Sequence, residues 1–250
     1  MSPSPGTVPL VQHEDWRSRF PWLLQGTTTR TPTEDWDFRL YGPSPAGEVL
    51  DRWEQLQEDT SMPAAVHAHQ VHGARLMSHV GAEPGLRLLR GFDGHFTGTP
   101  GVLLTVSVAD CVPVFLVDPA RKCVGVVHAG WKGVAARILD EALSGMRTWF
   151  GSSPRDVHVH LGPSICGRCY EVGPEVHEAV GLQRPEAPEP VDLRLLLARQ
   201  GERAGIPGDP ISRSGYCNRC DAALFHSHRG GSSGRQLGIL GIRRRTDRGA

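Results

Sequence analysis

The feature that most constrains the fold is a series of short apolar runs in the middle of the chain. Residues 102–108 (VLLTVSV), 112–117 and 122–127 are rich in β-branched side chains, and Gly, Pro or Asp bounds each run. Runs of this length and composition predict β-strands. Cys111 lies between the first two runs, and His128 follows the third. Because successive strands of this kind usually pair, we expect Cys111 and His128 to meet at adjacent strand ends.

A third candidate ligand lies upstream, in residues 69–73 (HQVHG). An alternating apolar stretch ends there at Gly73, which lets the backbone turn. His72, Cys111 and His128 would form a three-ligand site, and a catalytic zinc typically keeps three protein ligands and leaves the fourth position to water or substrate. A Cys at a strand end is also commonly a small buried hydrophobic residue, and the chain has 12 His, so these residue types alone leave a structural role open.

Five motifs surround these residues in a fixed order. They are residues 70–73 (QVHG), 109–114 (ADCVPV), 128–133 (HAGWKG), 162–165 (GPSI) with 169–172 (CYEV), and 227–229 (SHR) with 234–235 (GR). Together they resemble the laccase-domain or YfiH-like family, once called multicopper polyphenol oxidases and also known as peptidoglycan editing factors. The resemblance covers nearly the whole chain, although one arginine of the pair usual near the end is replaced by Gly230.

The resemblance implies a zinc-dependent purine nucleoside phosphorylase, a pentosyltransferase that acts on adenosine, inosine and methylthioadenosine, with an adenosine deaminase activity at the same site. Carried over motif by motif, it makes His72, Cys111 and His128 the Zn²⁺ ligands and the catalytic centre. It further implies an α/β (α+β) fold, a layered α/β/β/α sandwich. Its partners would be a purine nucleoside and phosphate. The predicted strands and helices interleave without a regular βαβ order, so we expect mixed β-sheets.

Four further residues are candidates for binding substrate. Lys132 opens a predicted helix just after His128, and Arg229 lies in a glycine-flanked loop, so these cations would contact phosphate or ribose oxygens. Gln70 and Asp110 lie next to the ligand positions and would fix histidine tautomers or contact the substrate. An ordinary surface charge is the alternative for each cation.

Three other functions compete with this interpretation. Cys111 and His128 would also suit the nucleophile and base of a cysteine hydrolase, a pairing that has no use for His72. Copper oxidation would use clustered His-x-His pairs, such as residues 67–69 and 158–160, although such pairs in strands need not bind a metal. The third alternative is a binding protein that controls the quality of cell-wall precursors.

Composition limits the partners and the compartment. Lys plus Arg equals Asp plus Glu at 27 each, so nothing in the net charge favours nucleic acid as a partner. No apolar run reaches the roughly 20 residues of a membrane span, and the N-terminus lacks the features of a secretory signal, so we expect a cytoplasmic protein. Residues 1–20 are expected to be flexible and residues 21–246 to form a single catalytic domain, as a monomer or a homodimer.

Four of the six cysteines form two Cys-x-x-Cys pairs. Cys166 with Cys169, and Cys217 with Cys220, have the local spacing of a four-thiolate zinc site, although a long interval separates the pairs. A second, structural zinc, a shared loop region and a redox-sensitive pair all remain open. Cys123 lies within an apolar run and is expected in the core.

The remaining patterns predict the other elements. Helices are expected at residues 48–59, 134–150 and 173–180, and one more after Asp192 as its N-cap. Strands are expected at residues 64–71, 75–80, 156–161, 206–213 and 237–242. The strands up to His128 are expected to form one central sheet.

Overall fold

The structure is a computed structural model, which describes residues 7–40, 42, 44–81 and 83–244. Its strands, numbered along the chain, are β1 (Leu10–Val11), β2 (Leu23–Thr28), β3 (Ala64–His69), β4 (Leu76–His79), β5 (Gly85–Arg90), β6 (Gly94–Thr97), β7 (Val102–Val108), β8 (Val112–Asp118), β9 (Cys123–Ala129), β10 (His158–Leu161), β11 (Glu171–Val172), β12 (Glu189–Pro190), β13 (Ile211–Arg213) and β14 (Gln236–Ile242). The helices are α1 (Glu14–Arg19), α2 (Ala46–Thr60), α3 (Trp131–Ala135), α4 (Ile138–Phe150), α5 (Pro174–Ala179) and α6 (Leu193–Arg203). Among these described helices, none has the length and apolar character needed to cross a membrane.

Two six-stranded sheets form the centre of the molecule. The first sheet has the strand order β1-β2-β14-β7-β3-β5, and the second has the order β13-β10-β8-β9-β6-β4. Both are mixed: β3 runs parallel to β5 and β7, whereas β14 runs antiparallel to β7, and β4 runs parallel to β6 while β8 and β9 are antiparallel. The sequence expectation of mixed sheets is confirmed.

Apolar side chains fill three layers of core because alternate residues of a strand face opposite sides of its sheet. On β8, Phe115 packs between the two sheets and Leu116 packs against the helices on the far side of the second sheet. That outer cluster includes residues of α4 and α6. On the other side, Trp53 of α2 packs against the first sheet. The layers are therefore α/β/β/α, as the family resemblance implied.

The chain crosses between the sheets three times at one edge of the sandwich. β3, β5 and β7 are parallel, so their carboxyl ends lie at the same edge of the first sheet. The next strand along the chain belongs in each case to the second sheet. The connections are residues 70–75, 91–93 and 109–111. The expectation of one central sheet is therefore wrong, since β7 joins the first sheet and β8 and β9 join the second.

Two local expectations differ from the structure and one is confirmed. The helix expected at residues 134–150 is two helices, α3 and α4, because Arg137 between them has a left-handed backbone with φ of 56°. The strand expected at residues 206–213 is limited to Ile211–Arg213. Asp192 is the expected N-cap: its side chain accepts a hydrogen bond of 3.1 Å from the Leu195 N–H.

The segment expected to be flexible, residues 1–20, contains ordered elements in its described part. β1 pairs with β2, and Trp16 of α1 is buried together with Phe20. The His13 ring accepts a hydrogen bond from the Trp16 N–H and so caps α1. Two buried aromatic side chains are a sufficient reason for order here, because their removal from water is worth a few kcal/mol. Residues 1–6 lie outside the described part of the chain.

Candidate metal and substrate site

The three ligand candidates meet at the edge where the chain crosses between the sheets. One donor atom from each of His72, Cys111 and His128 lies within 4.8 Å of the other two. His72 and Cys111 belong to two of the crossing connections, and His128 lies near the end of β9, which is antiparallel to β8 and so ends at this edge. His128 is buried, Cys111 is half-buried and His72 is exposed. The cluster is therefore open to solvent on its His72 side.

Asp93, which was not among the residues singled out from the sequence, organises this cluster. It is fully buried in the second crossing connection, residues 91–93, and its carboxylate accepts a hydrogen bond of 3.0 Å from Nδ1 of His128. The same carboxylate accepts backbone N–H bonds from Val71, His72 and Gly73 at 3.3, 2.9 and 2.8 Å. Asp93 thus places the proton of His128 on Nδ1, leaves Nε2 available as a ligand, and holds the His72 turn.

The electrostatics of the cluster favour a thiolate. Burial opposes ionisation of Cys111, but His128 and then His72 outweigh it and lower the pKa of the thiol to about 6. Burial also opposes protonation of His128, but Cys111 and Asp93 raise the pKa of its imidazole to about 9. The same chain of contacts lowers the pKa of Asp93 in spite of its burial. Since metals bind the deprotonated thiol, this environment prepares Cys111 as a ligand.

The surroundings of the cluster fit a zinc ion. Thiolate and imidazole are ligand types that zinc binds, and three protein ligands leave the fourth tetrahedral position to a small molecule. Gly130 leaves room beside it: a Cβ at this position would lie 2.9 Å from Sγ of Cys111 and 3.1 Å from Nδ1 of His72. Contacts below about 3 Å at that point would displace a ligand atom, so only glycine suits the position.

The cluster opens into a cavity of about 740 Å³. This volume lies within the range of small-molecule sites, roughly 300–1,000 Å³. One part of the lining is apolar and comes from the first sheet, with Ala68, Leu88 and Leu89. Gln70, Asp110, Lys132 and Arg229, which the sequence analysis proposed as substrate-binding residues, all line the same cavity.

Gln70 and Asp110 are anchored to the protein itself. The Gln70 amide donates to the Ser107 carbonyl at 3.0 Å and accepts from the Ser107 N–H at 2.6 Å, which extends the pairing of β3 with β7. The Asp110 carboxylate accepts bonds of 2.7 Å from the Ser227 hydroxyl and from the Arg229 N–H. The contacts of Asp110 hold two loops of the site together. The hydrogen bond that orients the His128 ring comes from Asp93.

Cationic side chains line the cavity from several loops. The Arg229 guanidinium lies 5.1 Å from the Tyr170 ring centroid and donates to the Glu171 carbonyl at 2.7 Å. Lys132 is exposed, with Nζ 5.6 Å from the Trp131 ring centroid. Arg39 and Arg235, which were given no role from the sequence, also line the cavity. Both add a guanidinium to the cavity lining, and that of Arg39 also pairs with Asp37 at 3.2 Å.

The histidine pairs considered for copper lie apart and bond to the protein. His67 on β3 bonds the Thr105 hydroxyl at 2.8 Å, and His160 on β10 bonds the Ser212 hydroxyl at 2.9 Å. Across the described part of the chain, these histidines belong to neither of the two groups whose donor atoms lie close enough together to hold a metal ion.

Comparison with known proteins gives consistent matches over nearly the whole chain. The family model described as multi-copper polyphenol oxidoreductase laccase matches residues 26–243. A protein named purine nucleoside phosphorylase YlmD, from Bacillus subtilis, is 31% identical over 238 residues, which are 87% of this chain and 86% of that protein. A protein named adenosine deaminase RL5, from an unknown prokaryotic organism, is 36% identical over 160 residues, which are 59% of this chain and 61% of that protein.

A solved structure shares the fold. The crystal structure of the hypothetical protein YfiH from Bacillus licheniformis superposes with a TM-score of 0.84 at 27% sequence identity. The match covers 95% of this chain and 97% of that chain. The two-sheet sandwich described above is therefore shared with a natural protein along almost its full length.

Proposed function

Because this chain belongs to the multi-copper polyphenol oxidoreductase laccase family, we propose that it is a zinc-dependent purine nucleoside phosphorylase. The proposal includes adenosine, inosine and methylthioadenosine as substrates, and deamination of adenosine at the same site. Relatives named purine nucleoside phosphorylase and one named adenosine deaminase support it. The main observation in its favour is that the three candidate metal ligands lie at a cation-lined cavity whose volume suits a nucleoside.

The residues of the cavity divide between the two substrates. In phosphorolysis an oxygen of phosphate forms a bond to the anomeric carbon of the nucleoside, and the bond from that carbon to the purine breaks. Lys132 and Arg229 would bind the phosphate, Lys132 as a point charge and Arg229 through its planar set of donors. The apolar side chain of Leu89, which is paired with Ala68 on the same face of the first sheet, would face the purine. Zinc at His72, Cys111 and His128 would supply a Lewis acid that polarises a bound oxygen.

Asp93 would act indirectly through His128. Its carboxylate keeps the His128 ring in one tautomer and orientation, and its three backbone bonds keep His72 beside it. A preorganised ligand set of this kind costs little rearrangement when substrate binds. Asp93 is therefore proposed as a positioning residue and not as a catalytic one.

The test is product analysis with purified protein loaded with zinc. Adenosine and inosine should release free base only when phosphate is supplied, since phosphate and not water is the proposed nucleophile. Cys111→Ser should lose the zinc of this site together with activity, whereas Cys123→Ala, a change to a buried cysteine outside the site, should keep both. Equal base release in phosphate-free buffer would contradict phosphorolysis, and ammonia release without free base would make deamination the principal reaction.

The phosphate contacts are tested separately from the metal. Losing one charge-assisted hydrogen bond costs about 1.5 to 3 kcal/mol, so Lys132→Ala and Arg229→Ala should each lower kcat/KM for phosphate by about one to two decades while the zinc content is kept. Arg147→Ala on α4, outside the cavity, is the matched control. An unchanged dependence of rate on phosphate in both cavity variants would mean that phosphate binds elsewhere.

One specific observation supports a second candidate, a cysteine hydrolase. Asp93, His128 and Cys111 form a hydrogen-bonded series with a lowered pKa at the thiol, as in enzymes that use a thiolate nucleophile. His72 distinguishes the two candidates, because a converging third ligand serves a metal. Removing the metal with a chelator should abolish the phosphorylase activity, whereas a thiol hydrolase would keep its activity and lose it to an alkylating reagent.

A further inference from the structure

A second cluster of potential metal ligands lies outside the cavity. Cys166, Cys169, Cys217 and Cys220 each place Sγ within 4.8 Å of the other three, and the Cys169 and Cys220 sulfurs are 3.5 Å apart. In a tetrahedral zinc site with four Zn–S bonds of about 2.3 Å, neighbouring sulfurs are about 3.8 Å apart. The four sulfurs thus stand near the corners that such an ion requires, although a long stretch of sequence separates the two pairs.

The backbone brings the two pairs together through its own hydrogen bonds. Ser164 and Cys217 form a parallel β-bridge, and the Asn218 N–H donates to the Ser164 carbonyl at 3.1 Å. The Cys166 N–H donates to Sγ of Cys217 at 3.3 Å, which links the two pairs directly. Within the first pair, the Cys169 N–H donates to the Cys166 carbonyl at 3.0 Å. The two turns are therefore shaped around the sulfurs by protein contacts alone.

Arginine residues accompany the four cysteines and would offset the negative charge of a tetrathiolate zinc site. Four thiolates around one divalent cation carry a net charge of −2, and each Cys-x-x-Cys has an arginine at its third position, Arg168 and Arg219. Arg219 donates from its guanidinium to the Cys169 carbonyl at 3.3 Å, which holds the positive group across the two turns. Arg219 at the cluster, with Arg168 next to Cys169 in the sequence, would offset part of the excess negative charge.

We propose that Cys166, Cys169, Cys217 and Cys220 bind a second zinc ion, with a structural and not a catalytic role. Four protein ligands fill a tetrahedral zinc and leave no position for substrate, unlike the three-ligand cluster of the cavity. The site binds zinc whichever reaction the cavity performs, so it does not rest on the proposed function.

The connections of the cluster indicate what this zinc stabilises. Tyr170 directly follows Cys169 and lines the cavity, where the Arg229 guanidinium lies over its ring. The chain that follows Cys220 leads to Ser227 and Arg229, which both bond Asp110. A zinc ion that joins the two Cys-x-x-Cys turns therefore fixes one wall of the cavity, because both segments of that wall begin at its ligands.

The direct test is a zinc count on protein purified under reducing conditions. Wild type should hold two zinc ions per chain, and Cys111→Ser should hold one. The double variant Cys169→Ser with Cys220→Ser should also hold one zinc ion. It removes the two cysteines after which the chain continues into the cavity wall, at Tyr170 and towards Ser227 and Arg229. Cys123→Ala, a buried cysteine outside both clusters, is the matched control and should hold two.

Cobalt gives a second measurement that does not depend on activity. Cobalt-substituted Cys111→Ser should show the strong sulfur-to-cobalt absorption of a tetrathiolate site, and the double cysteine variant should lack most of it. Should the double variant fail to fold, Cys111→Ser alone tests the second site: a thiol-specific mercurial should release one zinc ion per chain from it to a coloured chelator. Zinc-free Cys111→Ser protein, or intact mass that reveals disulfides among the four cysteines, would overturn the second site, whereas one zinc in wild type that Cys111→Ser keeps would count against the cavity zinc alone.

Discussion

Replacing Asp93 with Asn tests the role of the buried carboxylate in metal binding. Oδ1 of Asp93 accepts from the His72 N–H and from Nδ1 of His128, and Oδ2 accepts from the Val71 and Gly73 N–H groups. An Asn side chain has one oxygen and one NH₂ group, so it can serve only one of these two pairs of donors.

The two possible orientations of the amide differ in their consequences. With the amide oxygen at the Oδ1 position, the N–H groups of Val71 and Gly73 both face an NH₂ group and lose their acceptor. With the oxygen at the Oδ2 position, only the His72 N–H loses its acceptor, because His128 can turn Nδ1 into an acceptor by moving its proton to Nε2. Since each buried unpaired donor costs about 1 to 3 kcal/mol, the second orientation is favoured.

The favoured orientation has a defined cost for the metal. Its single unpaired donor predicts that metal-free Asp93→Asn loses about 1 to 3 kcal/mol of unfolding free energy. The proton on Nε2 of His128 must be moved before that nitrogen can bind zinc, so the zinc affinity of this site should fall by about 10- to 100-fold. The carboxylate's help in stabilising the His128 cation disappears as well, which raises the pKa of Cys111.

The assay pairs urea unfolding of the metal-free protein with zinc titration against a chromogenic chelator. Asp118→Asn is the matched control, because Asp118 is equally buried and accepts backbone bonds of 3.0 Å from Ala120 and Arg121 far from the cluster. It should lose stability and keep its zinc affinity. Wild-type zinc affinity in Asp93→Asn, together with the expected loss in the control, would refute the role assigned to Asp93.

Two further predictions concern backbone space and pH. Gly130→Ala should weaken zinc binding, because the added Cβ would lie 2.9 Å from Sγ of Cys111. Gly133→Ala, whose Cβ would have no atom closer than 3.5 Å, should leave zinc binding intact. Equal zinc affinities of the two variants would contradict the close approach at Gly130. Burial lowers the pKa of His160 to about 3, so the unfolded chain takes up a proton below about pH 6.5 that the folded protein does not, and acid destabilises the fold. Between pH 7 and pH 5 this one residue should account for about 2 kcal/mol of lost stability. Denaturation of His160→Gln at the two pH values should therefore show a smaller difference than wild type by that amount, and an equal difference would mean that His160 is protonated in the folded protein.

Much of the site was predictable because its signals are local. The short apolar runs predict strands, and their bounding residues locate Cys111 and His128 at strand ends. The side chain of Asp192 identifies a helix start without any knowledge of the fold, because an N-cap acts on the N–H groups two or three residues away. The order of the five motifs was enough to indicate the family, and through it the layered fold.

The sequence could not predict which sheet each strand joins. Strand patterns report the burial of each face, whereas pairing depends on contacts between residues distant in the chain. For this reason β7 and β8, which are neighbours in sequence, were expected in one sheet and lie in two. The helix break at Arg137 escaped prediction too, because the apolar spacing continues through it and only the backbone turn interrupts it.

The tertiary structure alone decided how the site is assembled. Three parallel strands end at one edge and send the chain across to the second sheet, which brings His72, Asp93 and Cys111 together with His128. Asp93 and His128 are 35 residues apart, and no local pattern links a carboxylate in one turn to an imidazole at the end of another strand. The sequence determined which residue types stand at the strand ends, and the crossing of the chain between two packed sheets determined which of them meet, because only folding converts separation along the chain into contact.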